Sequence, residues 1–216
     1  MIKIGPVRIT PVGHGSLIIR YAGRVIHVDP YSEAGDYSRL PKADQIWITH
    51  EHYDHFDPSA LELIRQPTTE FIVPPSVAGK IEAPAQINVL KNGDRCTVMG
   101  VTVEAVPAYN VVRERSPGVK YHPQGTGNGY VADFEGHRIY VAGDTECIPE
   151  MSRLQDIELA ILPLMLPYTM SPQEAVQAVQ SFLPRQVLPY HTTPKTAQEF
   201  ARLLKASKTE VELVGV

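Results

Sequence analysis

Short apolar runs, rich in Val and Ile and separated by Gly, Pro and polar residues, recur along most of the chain. Runs of this length and composition are typical of β-strands. The dipeptide Ala22-Gly23 predicts a tight hairpin turn between two of them. The predicted strands are residues 7–12, 17–21, 24–28, 45–49, 69–73, 95–98, 101–106, 129–134, 137–142, 159–162 and 186–188.

Three helices are predicted from the signals at their N-termini. Asp57 is placed to cap a helix that begins at Pro58 and continues to about Arg65. Residues 171–174 (Ser-Pro-Gln-Glu) form a capping box before a second helix, and residues 196–199 (Thr-Ala-Gln-Glu) form another before the third. The apolar stripes that these last two helices would bury are Ala175, Val176, Val179, Phe182 and Leu183, and Phe200, Leu203 and Leu204.

Two segments of the chain, residues 13–30 and residues 127–144, resemble each other. Both read Gly-x-Gly, strand, aromatic-x-Gly turn, strand and then an Asp near the end. The similarity predicts two similar halves, each with a β-hairpin and helices, packed sheet against sheet in one α/β domain that spans residues 1–216. The alternative is that two hairpins look alike by convergence.

Residues 107–127 show neither strand nor helix periodicity and contain several Pro and Gly. They predict a loop of about 20 residues, and a loop of that length inside a compact domain usually has a function. Arg113, Arg115 and Lys120 lie in this segment, interleaved with Glu114. These cations either clamp an anionic substrate group such as phosphate or carboxylate, or belong to a solvated charged loop.

The composition is that of an ordinary globular protein, with 43% hydrophobic and 20% charged residues. A net charge of -4 argues against a nucleic-acid or membrane-surface partner, which would need a basic excess. No stretch has the length of a membrane span, and the N-terminus lacks the pattern of a signal peptide. Cys96 and Cys147 are therefore expected to be reduced thiols in a cytoplasmic protein. The expected partner is a small-molecule substrate, and a homo-oligomer is left open.

The densest chemistry in the chain lies in residues 49–56, which read THEHYDHF directly after an apolar run. The pattern His50-x-His52-x-Asp54-His55 places four potential metal ligands within six positions. Neutral imidazole and carboxylate groups suit divalent ions such as zinc, manganese or iron. This density of ligands predicts a metal site rather than a solvated polar loop.

Further ligand-type residues follow other predicted strands. Asp29 comes at the end of one apolar run, Asp144 follows Ala142-Gly143 after a second, and His191 follows a third. A carboxylate or imidazole at a strand end is placed to face a cleft shared with the ends of neighbouring strands. The sequence therefore predicts that these residues join the histidine loop in one site.

With these motifs the chain resembles the metallo-β-lactamase superfamily, and more closely the branch that contains L-ascorbate-6-phosphate lactonase and related metal-dependent hydrolases. The motifs are GHGSLII, HVDP, THEHYDHF, AGDT and the His before Thr192-Thr193-Pro194. The resemblance covers nearly the whole chain, and HxHxDH is specific for the superfamily. It implies a four-layer αβ/βα sandwich of two mixed β-sheets flanked by helices, with the metal site at one edge of the sheets.

The resemblance also implies two metal sites that share a carboxylate. Asp144 would bridge the two metals, and Asp29 would orient the histidine loop by hydrogen bonds without being a ligand. Asp54 and Asp144 would act in catalysis by orienting a water molecule and accepting its proton. The implied ligands of the second site are Asp54, His55, Asp144 and His191.

The first site departs from the superfamily pattern. His50 and His52 begin it, but Asn110 occupies the position at which the third His is expected. An amide oxygen suits hard cations and is a poor ligand for zinc. Three explanations compete: Asn110 ligates weakly through its oxygen, the first site is empty, or His122 folds back to supply the missing imidazole.

The predicted function is metal-dependent hydrolysis of a small anionic ester, lactone or phosphodiester, with one or two zinc or manganese ions as the cofactor. The candidate substrate contacts are His14, Arg113, Arg115 and His122. Three other functions are alternatives. They are an iron-dependent redox enzyme on the same fold, a nuclease, and a non-catalytic metal-binding protein.

Overall fold

The structure is a computed structural model that describes residues 1–81 and 86–214. Within these residues two seven-stranded β-sheets carry most of the regular structure. The strands of the first sheet follow one another in space in the same order as in the chain. They are β1 (Ile2–Ile4), β2 (Val7–Gly13), β3 (Ser16–Tyr21), β4 (Arg24–Val28), β5 (Gln45–Trp47), β6 (Glu70–Val73) and β7 (Gln86–Val89).

The second sheet is built from the rest of the chain, interrupted by a separate two-stranded ribbon. It begins with β8 (Arg95–Val98) and β9 (Val101–Ala108), after which the ribbon strands β10 (Glu114–Ser116) and β11 (Val119–Lys120) follow. It then continues through β12 (Gly127–Phe134), β13 (His137–Val141), β14 (Ile157–Pro163), β15 (Gln186–Tyr190) and β16 (Glu210–Val211).

The two sheets share one pattern of strand pairing. In the first sheet β1 to β4 pair antiparallel, and β4 to β7 pair parallel. In the second sheet β8, β9, β12 and β13 pair antiparallel, and β13 to β16 pair parallel. The similar segments 13–30 and 127–144 form the third and fourth strands of their respective sheets, so the predicted similarity of the two halves agrees with the topology.

Three apolar cores separate four layers. The central core lies between the sheets, where Trp47 and Ile9 of the first sheet pack in one cluster with Tyr130 and Leu188 of the second. One outer core joins the first sheet to α1 (Pro58–Ile64) and α2 (Pro75–Ala78), and the other joins the second sheet to α3 (Pro172–Phe182) and α4 (Pro194–Leu204). The predicted four-layer sandwich is therefore confirmed.

Burial explains which strands have alternating sequences and which are apolar throughout. In β2, Val7 and Ile9 are buried and Arg8 between them is exposed. In β14, residues 159–162 are all buried, because this strand is central in its sheet and both faces are covered. Each fully buried aliphatic side chain contributes about 1.5–3 kcal/mol to the free energy of unfolding.

The structure corrects two of the predicted elements. The last helix begins at Pro194 and not near Thr196, because Thr193 is its N-cap and accepts a hydrogen bond from the Thr196 backbone N–H at 3.2 Å. The segment 107–127 is not without structure, since β10 and β11 pair within it. The sequence also did not predict β1, β7, β16 and α2. No helix of the described residues combines the length and apolar character needed to cross a membrane.

Candidate metal centre

The predicted ligand-type residues gather at one edge of the two sheets. The first sheet contributes them from the loops after β2, β4 and β5, and the second from the loops after β9, β13 and β15. Parallel neighbouring strands end at the same edge of a sheet, which brings these loops together. The residues are His14, Asp29, His50, His52, Asp54, His55, Asn110, His122, Asp144 and His191.

Asp29 is fully buried beneath the histidine loop and holds it in place. Its Oδ1 accepts the backbone N–H of Thr49 at 2.7 Å, and its Oδ2 accepts the Thr49 hydroxyl at 2.6 Å. The same carboxylate is 2.8 Å from Nδ1 of His55. An acceptor at Nδ1 requires the proton on that nitrogen, so the Nε2 lone pair of His55 stays available for another partner.

Three imidazoles form the first group of potential ligands. Nε2 of His50 lies 3.1 Å from Nδ1 of His52, and the ring centroid of His122 lies 5.0 Å and 4.9 Å from the centroids of these two rings. One nitrogen from each ring lies within 4.8 Å of the others. Three imidazole nitrogens converging on one point are a familiar donor set for a divalent transition metal.

The second group surrounds the carboxylate of Asp54. Oδ2 of Asp54 lies 2.9 Å from Nε2 of His14, 3.4 Å from Nε2 of His191 and 3.8 Å from Nε2 of His55. These side chains come from three separate loops, and the His191 backbone N–H donates to the His14 carbonyl at 2.8 Å. The second group therefore joins residues of both sheets.

Asp144 lies between the two groups. Its Oδ2 is 3.3 Å from Nε2 of His122, and its Oδ1 is 3.4 Å from Nε2 of His55 and 3.8 Å from Nδ1 of His191. Among the described residues Asp144 Oδ1, His55 Nε2 and His191 Nδ1 have no hydrogen-bond partner although all three are buried. Each such atom costs about 1–3 kcal/mol if it stays unpaired. A divalent cation would satisfy these lone pairs together, so the donor set fits a metal.

The local electrostatics favour the metal-binding forms of His50 and Asp144 and the protonated form of His55. Burial and the nearby His55 lower the pKa of His50 well below its ordinary value, which leaves this imidazole neutral. Burial raises the pKa of Asp144, but His191 and His55 outweigh it and hold that pKa well below the usual range. Burial also lowers the pKa of His55, but Asp144 and Asp29 outweigh this effect and raise it to about 9. A bound cation would take the place of the His55 proton.

The backbone around the centre adopts conformations that few residues tolerate. His14, Asp29 and His191 have φ values of 50°, 45° and 45°, in the left-handed region. A Cβ at Gly15 would lie 2.9 Å from Cε1 of His55, so only glycine fits beside this ring. Strained backbone concentrates at functional sites, and here it brings the His14 and His191 rings to a centroid distance of 3.9 Å.

Comparison with known families agrees with this geometry. The model of the beta-lactamase superfamily domain matches residues 8–191, a range that contains every ligand-type residue described above. The chain belongs to the metallo-β-lactamase superfamily. Its two mixed sheets with the site at their common edge are the arrangement that membership predicts.

Individual relatives of this superfamily cover nearly the whole chain. A protein of Thermococcus kodakarensis, named UPF0173 metal-dependent hydrolase, is 31% identical over 96% of both chains. A crystal structure of a protein from Parabacteroides distasonis, also named as a metal-dependent hydrolase, is 43% identical with a TM-score of 0.88, over 95% of this chain and 91% of that one. Igni18, a metallo hydrolase of Ignicoccus hospitalis, has the same fold, with a TM-score of 0.76 at 22% identity and coverage of 96% and 94%.

Asn110 does not act as the residue that it replaces in the superfamily pattern. Its Oδ1 accepts two hydrogen bonds from His122, one from the backbone N–H at 2.7 Å and one from Nδ1 at 2.8 Å. Its Nδ2 donates to the carbonyl of Tyr168 at 2.8 Å and to Glu146 at 3.1 Å. Both lone pairs of Oδ1 are used in these bonds, so Asn110 has none left for a metal ion. The imidazole of His122 lies beside His50 and His52.

Glu146 is a structural residue of the site that the sequence did not reveal. It is buried, and its carboxylate accepts the backbone N–H groups of Val111 at 3.1 Å, Val112 at 2.9 Å and Arg113 at 2.7 Å, besides the Asn110 amide. It therefore fixes the beginning of the loop that returns to His122. The only sequence signal was an acidic residue two positions after Asp144, within a largely apolar segment.

The cations of segment 107–127 do not form the predicted anion clamp. The Arg113 guanidinium donates to both oxygens of Glu174, at 2.9 Å and 2.6 Å, and lies 3.3 Å from Glu146. Lys120 pairs with Glu114 at 3.2 Å. Arg115 is exposed on β10. Arg113 is thus a structural bridge to α3, contrary to its expected role as a substrate contact.

Two cavities differ in their relation to these residues. One of about 70 Å³ opens beside His50, His52 and His122. A larger one of about 510 Å³ lies on the outer face of the second sheet, between β9, β12 and residues 148–156, and shares none of its lining residues with the first. The groups of metal ligands in the described residues all lie outside the larger cavity. We therefore place the functional site at the smaller one.

Proposed function

We propose that the protein is a metal-dependent hydrolase that uses a metal-activated water on a small ester, lactone or phosphodiester. The observation that carries this assignment is the position of Asp144, whose two oxygens face His122 in the first group and His55 in the second. The relatives named as metal-dependent hydrolases, at 31% and 43% identity, support it.

Two cation positions fit the two groups, and Asp144 belongs to both. Imidazole and carboxylate donors favour zinc or manganese, with iron as the alternative. A divalent ion held here would polarise a substrate oxygen and lower the pKa of a bound water to near 7. The ligands that we assign are His50, His52 and His122 to the first ion. From the distances around Asp54 and Asp144, we assign Asp54, His55 and His191 to the second ion and Asp144 to both.

The other chemistry is assigned to Asp54 and His14. Burial raises the pKa of Asp54, but hydrogen bonds from His14 and His191 outweigh it and hold the pKa low, so this group is an ionised acceptor. We assign to Asp54, with Asp144, the orientation of the attacking water and the acceptance of its proton. His14 is about 30% exposed on the open side, where it can donate to the developing oxyanion.

For an ester, hydrolysis at this site exchanges one bond at the carbonyl carbon and transfers one proton through Asp54. The water oxygen bonds to the carbonyl carbon, the bond between that carbon and the leaving alcohol oxygen breaks, and Asp54 returns the water proton to the leaving oxygen. The products are a carboxylic acid and an alcohol. No oxidant or reductant is needed, which separates this proposal from an iron-dependent redox function.

The setting that we propose for this activity is a cytoplasmic one with a small-molecule substrate. The net charge of -4 gives no general attraction for nucleic acid. Cys96 and Cys147 are free thiols, as expected in a reducing compartment. Salt-dependent RNA binding would argue instead for a nuclease.

The first experiment is elemental analysis of gently purified protein, followed by turnover of a panel of neutral and anionic esters, lactones and phosphodiesters. We expect up to two zinc or manganese ions per chain and hydrolysis of at least one class. His55→Ala should lose both metal and turnover. His137→Gln serves as the matched control, because His137, on β13, pairs with Glu158 of β14 outside both groups.

The outcomes separate the alternatives. A His55→Ala protein with wild-type turnover would show that the assignment is wrong. Bound iron with an optical charge-transfer band would favour a redox enzyme. A chain that takes up no metal even after reloading would exclude the hydrolase and leave the fold without this chemistry.

A further inference from the structure

Exposed apolar side chains lie on the histidine loop and on two loops of the second sheet, those after β9 and β14. Tyr53, within the histidine loop, is 74% exposed, and Val112, beside Asn110, is 72% exposed. Leu166 and Tyr168, in the loop after β14, are 52% and 43% exposed. Single exposed apolar residues are ordinary, but a group of them around one site marks a binding surface.

Two aromatic pairs flank the centre. Tyr31 packs edge-on against Tyr53 at a centroid distance of 5.9 Å and lies 5.7 Å from the His14 ring, beside the second ligand group. Tyr121 packs edge-on against Tyr168 at 5.0 Å, beside the first group. Tyr121 directly precedes His122, and it lines the small cavity with that residue. Each metal position therefore has its own aromatic wall.

Three cations on the segments around these aromatic pairs already have carboxylate partners. Lys80 pairs with Glu51, Arg113 with Glu174 and Lys120 with Glu114. The carboxylate nearest to the Tyr31–Tyr53 pair, Glu33, accepts the Tyr31 hydroxyl at 2.7 Å. A phosphate or carboxylate substituent would have to displace one of these carboxylates to pair with Lys80, Arg113 or Lys120. An uncharged apolar substituent needs no such displacement.

We propose that the substrate of this centre carries an uncharged aromatic or bulky alkyl group that packs against the Tyr31–Tyr53 or the Tyr121–Tyr168 pair. This inference rests on the proposed hydrolase function and replaces the anionic substrate expected from the sequence. Tyrosine rings offer large apolar faces at small cost in side-chain entropy, and they prefer offset or edge-on contacts with a second ring. The scissile ester or lactone is thereby presented to the metal ligands while its substituent remains on the aromatic wall.

The test compares two hydroxamic acids that present the same metal-chelating head. Benzohydroxamic acid carries a phenyl ring, and acetohydroxamic acid carries a methyl group, so their affinities differ only through the substituent. Titration calorimetry with the zinc- or manganese-loaded protein should show the phenyl compound binding at least tenfold more tightly. Tyr53→Ala or Tyr168→Ala should reduce this ratio, and the corresponding Phe variants should reduce it less because the ring remains.

Leu63→Ala is the control, because Leu63 is also exposed, at 42%, but lies on α1 away from both aromatic pairs. Equal affinities for the two hydroxamates would overturn the inference while the hydrolase proposal stands. Faster turnover of anionic than of phenyl esters would overturn it as well. A dimer that Tyr53→Ala dissociates in sedimentation would assign the surface to a second copy and not to substrate. Failure of the metal-loaded protein to bind either hydroxamate would overturn the proposed function and this inference together.

Discussion

The two ligand groups hold their imidazoles by different means. In the second group, His191 directly follows β15, and Asp29 fixes His55 of the histidine loop through a single buried carboxylate. In the first group, His122 comes from a loop that leaves the sheet after β9, and it is oriented by Asn110, which Glu146 holds in turn. The comparison shows two ways of orienting an imidazole: a buried carboxylate that bonds the ring directly, and an amide that a second carboxylate holds in place.

The largest effect should come from the residue that the two groups share. Asp144→Ala removes the carboxylate facing both His122 and His55, so we expect loss of metal from both positions and a drop in turnover of about 10³-fold or more. Elemental analysis and ester hydrolysis measure it. Retention of one full equivalent of metal would show that one of the two groups binds its ion without Asp144.

Glu146 tests whether the first group depends on a distant support. Glu146→Ala leaves three backbone N–H groups and the Asn110 amide without their buried acceptor, so the free energy of unfolding should fall by about 3 kcal/mol. Urea unfolding of the metal-free protein measures this. Glu104→Ala, which breaks the surface pair with Arg95, should cost less than about 1 kcal/mol. Equal losses in the two variants would remove the special role of Glu146.

His27 is a buried imidazole outside both ligand groups, so it shows the effect of burial where no metal is expected. Nε2 of His27 lies 3.0 Å from the Pro41 carbonyl, and burial lowers the pKa of His27 to about 4. Between pH 6.5 and 4 the unfolded chain binds a proton that the folded chain does not. The stability from His27 is therefore complete above pH 6.5 and decreases as the pH falls towards 4.

Because of this difference, the free energy of unfolding of the wild type should fall by about 2–3 kcal/mol between pH 7.5 and pH 4.5. His27→Gln keeps a donor for Pro41 but does not titrate, so its loss over the same interval should be smaller by that amount. Urea unfolding of both proteins at the two pH values checks it. Parallel pH dependence in the two proteins would show that His27 is not the titrating group.

The smallest of these effects should be the most selective. Asn110→Ala removes the acceptor that orients His122, and loss of a hydrogen-bond partner of a ligand typically weakens metal affinity 10–100-fold. We expect that loss at the first position only, resolved by two-site calorimetric titration. The matched control is Asn88→Ala, because Asn88 on β7 donates its side-chain amide to the carbonyl of Phe71 on β6, away from both groups. A variant that loses affinity at the second position would contradict the assignment.

What the sequence predicted follows the same division between the groups. Asp29, Asp144, His191 and the HxHxDH loop were recognised because each lies immediately after a strand, where local sequence determines position. The similarity of the two halves was predicted from the similar hairpins. His122 remained one of three explanations, because a returning loop is placed by tertiary hydrogen bonds and not by spacing.

Arg113 also shows that local sequence does not reveal tertiary partners, in this case for a residue whose predicted role differs from its contacts in the structure. Its sequence neighbourhood predicted a substrate contact, but Glu174 lies 61 positions further along the chain and binds both ends of its guanidinium. No local pattern indicates such a partner. The aromatic pairs were missed for the same reason, since Tyr31 and Tyr53, like Tyr121 and Tyr168, meet only in the folded chain.

The division of the ligands between the sheets has a mechanical consequence. The histidine loop belongs to the first sheet, whereas His122, Asp144 and His191 belong to the second. An ion bound by both sets therefore cross-links the two halves of the molecule, much as a disulfide would. Binding at a free ion concentration of 100 times Kd would add about 2.7 kcal/mol to the free energy of unfolding. Removal of the ion by a chelator should then weaken the packing between the two sheets before it disturbs either sheet alone.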